Sequence, residues 1–307
     1  MLDPASCSLF NDHYKTMEAR IKAAIIESFG DADVFRMADL PRPEPKPGEV
    51  LLRIHASSVN PVDAGVRSGA ILPDDPALFP MILGWDAAGT VEALGPETEG
   101  FAPGDRVMAM SPQPGSMVGT HAEFAALPAS QVVKIADAVP FTTAAAVPLI
   151  GSTALAALQA LALPPDARVL INNPKGAVGA MAAAIAPLLG FELAAPDARQ
   201  VDGAIDVRGR KHAQQAFAAV KDGGAYATIV PEWWKPGGVF TEARGITPVT
   251  VQNPANQEVL LPLAGWLAEG VLMPEIEDIL PLDQIAEAHR RLETPGHTGK
   301  FVLDHTF

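Results

Sequence analysis

RVLINNPKGAVGAMAAAIAPLLGFELAA, residues 168–195, is the stretch whose reading decides the fold. Arg168–Asn172 is a short run of branched apolar residues bounded by turn formers, which predicts a buried strand. The alanine-rich run Gly176–Leu189 predicts a helix stopped by Gly190, and Phe191–Ala195 predicts the next strand. Strand, glycine turn, helix and strand in this order form the context that a dinucleotide-binding turn requires. Gly176 and Gly179 let the backbone approach a pyrophosphate, with Asn173, Ala177 and Val178 completing the turn. The helix start adds free N–H groups and the positive end of its dipole. The same glycine pair also suits a strand–helix turn that binds nothing. Lys175 either adds charge at the phosphate or is an exposed loop lysine.

The pattern continues outward on the C-terminal side. Gly203–Val207 and Ala225–Val230 read as strands, with a helix over Lys211–Lys221 between them. Such alternation means a parallel sheet with crossover helices. Gln257–Gly270 and Leu282–Leu292 read as further helices, and Gly299–Asp304 as a last strand. Thr142–Ala162 reads as helical, with breaks around Pro148 and Gly151.

The N-terminal side has a different texture. Lys22–Ser28, Glu49–Ser57, Gly84–Gly95, Asp105–Met110 and His121–Leu127 are short strands between turn residues, with no sustained helical period through Ile21–Lys134. They predict a barrel or partly open β domain. The fold class is therefore α/β, a β-rich domain followed by a doubly wound parallel sheet.

Composition narrows the function. The chain of 307 residues is 48% hydrophobic and 19% charged, enough for two packed domains. A net charge of -14 argues against nucleic acid as a partner. No apolar run approaches the ~18–20 residues that span a bilayer, and residues 1–20 lack a secretory signal, so a cytoplasmic protein without a membrane partner is expected. The single cysteine, Cys7, allows neither an internal disulfide nor a cysteine-rich zinc site.

Several stretches carry a resemblance to a known family. They are PEPKPGEVLLRIHASSVNPVDAGVRSG (43–69), ILGWDAAGTVEALG (82–95), GFAPGDRVMAM (100–110), HAEFAALPA (121–129), VPLIGSTALAAL (147–158) and AEAHRRLETPGHTGKFVL (286–303). From about Lys22 to its end the chain resembles the medium-chain dehydrogenase/reductase superfamily, in its zinc-independent quinone-oxidoreductase-like branch. The resemblance implies a GroES-like substrate domain over 21–145 and 282–307, and an abridged Rossmann domain over 146–281. Residues 1–20 form an extension outside the match. It further implies a cleft between the domains, a nicotinamide cofactor (NADP(H) or NAD(H)), a small-molecule substrate and a homodimer.

Two departures from that family matter. The zinc-ligand positions correspond here to Asn60, Trp85 and Leu149, none of them a good zinc ligand, so no metal is expected. In the Rossmann half only Pro196–Gln200 follow the second strand, where relatives carry roughly a whole further α/β unit, on the order of 25–35 residues. That unit lines the adenosine side. Asp197 there favours a free ribose hydroxyl and NAD, whereas Arg199 favours NADP; both also read as solvated loop residues.

The resemblance places Asn60, Asp63 and Thr153 near the nicotinamide and substrate. Asn60 is then a carbonyl polariser, Thr153 a hydroxyl for the ribose or carboxamide, and Asp63 either a proton relay or a turn cap. Trp85 and Asp86 fall at the substrate pocket, Trp85 as its wall or as packing between domains. Trp233 and Trp234 fall at a loop edging the nicotinamide. Val230 and Lys300 fall near the cofactor. The leading expectation is a reductase of quinones, enones or other activated alkenes. Its rival keeps the fold, loses the redox step and catalyses a cyclisation, isomerisation or elimination.

Overall fold

In the computed structural model the residues described are 19–72, 75, 78–111, 113, 118–232, 237–253 and 256–306. Cys7, with the rest of residues 1–18, and both Trp233 and Trp234 lie outside them.

The N-terminal half is built on one long strand. β1 (Arg20–Ile26) pairs antiparallel with β2 (Arg36–Pro41). β3 (Glu49–Val59) is followed by helix α1 (Pro61–Arg67), then by β4 (Met81–Ile82), which pairs with β1, and by β5 (Asp86–Leu94). β6 (Arg106–Met110), β7 (Phe124–Pro128) and β8 (Val132–Lys134) complete this half. β5 runs antiparallel along one edge of β3. The other edge is shared: β7 covers Glu49–Arg53, and the last strand of the chain, β15 (Lys300–Asp304), covers Ala56–Val59. That pairing sets Phe301 opposite Val59 and so brings Lys300 beside Asn60.

Helix α1 is a departure from the sequence expectation, which had no helix in this half. Its signals are local: Asn60 at the N-cap, Pro61 at the first turn, and Asp63, whose carboxylate accepts the Asn60 N–H at 2.8 Å. A seven-residue helix is too short to show a period.

The C-terminal half opens with α2 (Phe141–Ala145) and α3 (Pro148–Ala160). Pro148 begins α3, and Gly151 lies inside it rather than breaking it. A Cβ at Gly151 would stand 2.9 Å from a Leu263 methyl, so glycine there permits close helix packing. Next come β9 (Arg168–Ile171), α4 (Ala177–Leu188), β10 (Glu192–Leu193), β11 (Val201–Asp206), α5 (Arg210–Ala219), β12 (Val220–Thr228) and β13 (Val249–Thr250). These five strands form a parallel sheet in the order β10-β9-β11-β12-β13. A complete doubly wound sheet of this kind has a third strand beyond the second. Here the two exposed residues of β10 are the edge of the described sheet. The chain turns straight back through residues 194–200 to β11, which sits on the other side of β9.

α6 (Gln257–Ala268), β14 (Ile276–Pro281) and α7 (Ile285–Glu293) lead to β15. β14, read as no element in the sequence, pairs parallel with β15 and belongs to the β3 sheet. Alternating exposure with only Leu280 buried explains why its pattern was weak. One apolar core joins the halves: Leu155, Leu158, Ile185, Ile205 and Leu263 pack in the same cluster as Met110 and Val302. Each fully buried leucine there contributes roughly 1.5–3 kcal/mol, enough to tie α3 to both sheets.

Candidate functional site: an interdomain cleft

A cleft of about 280 Å³ lies between the two sheets. Asn173, Gly176, Ala177, Val178, Gly179 and Val207 line one wall. Val59, Asn60, Pro61, Ile150, Leu292 and His297–Lys300 contribute the other. The sequence therefore places the glycine turn opposite Asn60 and Lys300, brought together by the β3–β15 pairing.

The turn is tight. A Cβ at Gly179 would lie 1.8 Å from the carbonyl oxygen of Asn173, an impossible contact with backbone, so glycine is required for α4 to start this close to β9. At Gly176 the obstacle is the Asn173 side chain, 2.4 Å away. Gly176 is the N-cap of α4 and offers no capping side chain, so the first-turn N–H groups are left to whatever enters the cleft. That arrangement fits a dinucleotide pyrophosphate. Lys175 is exposed and is not among the residues that line the cleft.

Beneath the opposite wall is a buried polar network centred on Asp86. Its Oδ2 accepts from Ser58 Oγ at 2.6 Å and Asn60 Nδ2 at 2.8 Å, and lies 3.6 Å from Lys300 Nζ. Its Oδ1 accepts the Leu149 N–H at 2.6 Å, so this one carboxylate joins β5 to the start of α3. Lys300 also donates to the Val59 carbonyl at 3.0 Å and to Asn60 Oδ1. Lysine only donates and a carboxylate only accepts, which fixes the orientation of the Asn60 amide. Its Nδ2 faces Asp86 and the Ser58 carbonyl, leaving no amide proton for a substrate carbonyl. Burial holds the Lys300 ammonium below its usual pKa, against the opposing pull of Asp86 and Asp63.

Asp63 is fully buried and does not line the cleft. Its two oxygens accept from the N–H groups of Asn60 and Gly84, at 2.8 and 3.0 Å. Burial pushes its pKa up to about 7 in spite of these donors and of nearby Lys300. The geometry is that of a turn cap. The Thr153 hydroxyl donates to the Leu149 carbonyl at 2.7 Å and accepts from Asn253 Nδ2 at 2.7 Å, so it buttresses the start of α3 rather than lining the cleft. Trp85 is half-buried with its indole N–H buried and without a partner among the described residues. The Val230 N–H is turned onto Thr228 Oγ1 at 3.1 Å.

A second cavity, of about 250 Å³, opens at the C-terminal end of β9. Leu170–Asn172, Pro196, Asp197, Arg199, His212, Gln215 and Ala216 line it. Arg199 folds one guanidinium nitrogen back onto the carbonyls of Asp197 and Ala198, at 2.8 and 2.9 Å. Arg208 and Lys211 stand close enough to His212 to help hold its pKa down, after the leading effect of burial.

His55, Asp63 and Asp86 do not form an acid–base group. His55 stacks on Phe141 with ring centroids 4.5 Å apart, and its Nε2 lies 3.3 Å from Thr90 Oγ1. Two other histidines meet at Ser57, whose hydroxyl lies 2.9 Å from both His121 Nδ1 and His305 Nε2. Both are buried and kept neutral by that burial, His305 down to about 4. Among the described residues no three metal-ligating side chains come together. At the positions of zinc ligands in metal-dependent relatives, an engaged amide, an indole and a leucine do not fit a zinc ion. No helix among the described residues is long and apolar enough to cross a membrane.

The sequence reading missed Val59, Pro61, Ile150, Val207, Leu292, His297, Thr298 and Gly299 as cleft residues, and Asn253 as the support of Thr153. His297 and Thr298 sit in the quoted run ending GKFVL, so their proximity to Lys300 was within reach. Asn253 carries no local signal, since its partners lie 100 and 104 residues away.

Comparison with known proteins agrees with this architecture. The alcohol dehydrogenase GroES-like domain model matches residues 46–137, and the zinc-binding dehydrogenase model matches residues 179–303. Quinone oxidoreductase of Sus scrofa is 26% identical, covering 94% of this chain and 99% of its own. That alignment runs to 331 positions, longer than the 307-residue chain, so the relative carries residues with no counterpart here. A 2-methylene-furan-3-one reductase of Solanum lycopersicum is 26% identical over 94% of this chain and 80% of its own. The solved quinone oxidoreductase of Coxiella burnetii superposes with a TM-score of 0.81 at 25% identity, covering 94% of this chain and 100% of that one. With two domain models in order along the chain and relatives matched along nearly their whole length, the chain belongs to the medium-chain dehydrogenase/reductase superfamily of oxidoreductases, in its quinone-oxidoreductase-like branch.

Proposed function

We propose that this protein is a zinc-independent, nicotinamide-dependent reductase of quinones, enones or other activated alkenes, with NADPH preferred over NADH. One observation carries the reading: the glycine turn and the Asn60–Lys300 wall face each other across a single cleft. The cofactor, when bound, supplies the hydride. The chain's own residues do the rest. The first-turn N–H groups of α4 hold the pyrophosphate. Val59, Ile150 and Val207 give the cleft apolar lining on both sides, which would orient a nicotinamide between them and exclude water. Lys300, fixed by three acceptors, keeps Asn60 and Asp86 in place beneath it. The names of the pig and tomato relatives support quinone and enone substrates.

Preference for NADPH is supported by the second cavity. Arg199 and His212 line it, with Arg208 and Lys211 near His212, against the carboxylates of Asp197 and of Asp206, the latter already engaged by Asn172 and the N–H groups of Arg208 and Gly209. In an acidic protein such a local excess of cations suits a 2′-phosphate. We divide the chain functionally before Ile276, because β14 pairs with β15. The test is NADPH oxidation with a panel of quinones and enones, run with and without a strong metal chelator. Turnover that survives the chelator is expected. Loss of turnover with the chelator would sink zinc independence, and no turnover with any acceptor would sink the reductase.

A further inference from the structure

The glycine turn offers a pyrophosphate neutral backbone donors, and a doubly charged group calls for a charged partner as well. Lys175 does not line the cleft. Lys300 does, but its protons are engaged by Val59, Asn60 and Asp86, and Asp86 balances its charge. His297 stands in the opposite wall. Its Nδ1 lies 3.0 Å from the Thr294 carbonyl, which only accepts, so Nδ1 carries the proton. Nε2 has no partner among the described residues, and the ring rests on Phe301 with centroids 5.4 Å apart.

The loop is anchored on both sides of this histidine. Thr298 Oγ1 donates to Glu275 Oε1 at 2.8 Å, and the Thr298 N–H reaches Glu277 Oε2 at 3.3 Å. Arg67 of α1 pairs with Glu293 at the end of α7, 2.6 Å away. His297 is therefore held at the cleft while its outer nitrogen stays free.

We propose that His297 completes a phosphate clamp: as an imidazolium its Nε2–H donates to the pyrophosphate held by Gly176–Gly179, so that binding a dinucleotide takes up a proton. This rests on the dinucleotide reading of the cleft. The charged groups around it are Glu275 just before β14, Glu277 in β14, Arg291 and Glu293 from α7, Arg67 from α1 on Glu293, Lys300 from β15 and Lys175 on the turn. Arg291 lies 4.9 Å from the Phe301 ring and is paired with Asp278. These carboxylates, lysines and arginines ordinarily titrate outside pH 6–8, where imidazole changes charge.

The test is titration calorimetry with NADH, which lacks the 2′-phosphate and its own titration near neutrality. Wild type, His297→Ala and His297→Gln are compared at pH 6 and 8, each in two buffers of different ionisation enthalpy. Wild type is expected to bind about tenfold more tightly at pH 6 than at pH 8, which by linkage is an uptake averaging about half a proton over that range. His297→Ala is expected to bind about tenfold more weakly than wild type at pH 6 and to lose that pH dependence. Glutamine, a neutral donor, is expected to recover part of the affinity without proton uptake. Equal affinity, pH dependence and proton uptake in all three would overturn the clamp and leave the reductase reading standing. If wild type binds neither NADH nor NADPH, that reading falls and the clamp with it.

Discussion

The two ends of the proposed dinucleotide groove are built differently. At the nicotinamide end, Asp86 alone gathers a hydroxyl, an amide, an ammonium and a helix N–H, and the side chains of Ser58, Asn60, Asp86 and Lys300 are all buried. At the adenosine end, a mostly exposed loop of residues 194–200 leads straight from the edge strand β10 to β11, and among the described residues Arg199 is anchored to backbone carbonyls of its own loop. Burial makes the first end rigid and costly to disturb. Exposure makes the second adaptable and weak. Binding should therefore depend chiefly on the turn and its facing wall, with the adenosine pocket adding preference rather than most of the affinity.

The largest effect is expected at the buried wall. Lys300→Met leaves Asp86 buried without its counter-charge, at a cost of about 3–5 kcal/mol in urea unfolding. Adding Asp86→Asn to that variant should recover much of the loss. A single-variant cost below 1 kcal/mol would remove the distinction between the two ends.

Asp63 gives a pH-dependent version of the same test. Its folded pKa, about 7, lies above the unfolded value of 3.8. The folded state thus holds the proton longer, and the stability it contributes is full below about pH 4 and lost as pH rises through 7. The stability difference between wild type and Asp63→Asn should shift against wild type by up to about 4 kcal/mol between pH 4 and 8. His305 works in the opposite sense, its contribution falling as pH drops from 6.5 towards 4, and it cancels in that difference.

Gly179→Ala forces a Cβ into the Asn173 carbonyl. We expect a stability loss of about 1–3 kcal/mol and roughly 100-fold weaker NADPH binding, read by fluorescence titration. Arg199→Ala should have the smallest effect, weakening NADPH about tenfold while leaving NADH nearly unchanged. Equal losses for both cofactors, or a loss as large as that at Gly179, would break the comparison.

The fold was legible where local chemistry is strong. The turn at Gly176–Gly179 announces itself through spacing, and the order of strands and helices around it follows from periodicity. Helix α1 escaped notice because it is only seven residues long, although Asn60, Pro61 and Asp63 are its start signals. β14 escaped because one face of it is solvated and its partner is the distant C-terminal strand. Asn60, Asp86 and Lys300 could be assigned to one region through family resemblance. Their bonding could not, since the Asn60 amide is oriented by Lys300, 240 residues along the chain. His297 could be placed near Lys300 from the run that they share, but the glycine turn that it faces across the cleft could not be read there.

The most direct test of the account is an equilibrium titration of the purified full-length protein with NADPH and with NADH. Saturable binding of both below millimolar concentration is predicted, with NADPH tighter by roughly tenfold, about 1.4 kcal/mol. Absence of binding by either at millimolar concentration would contradict it, because the turn would then survive as architecture alone.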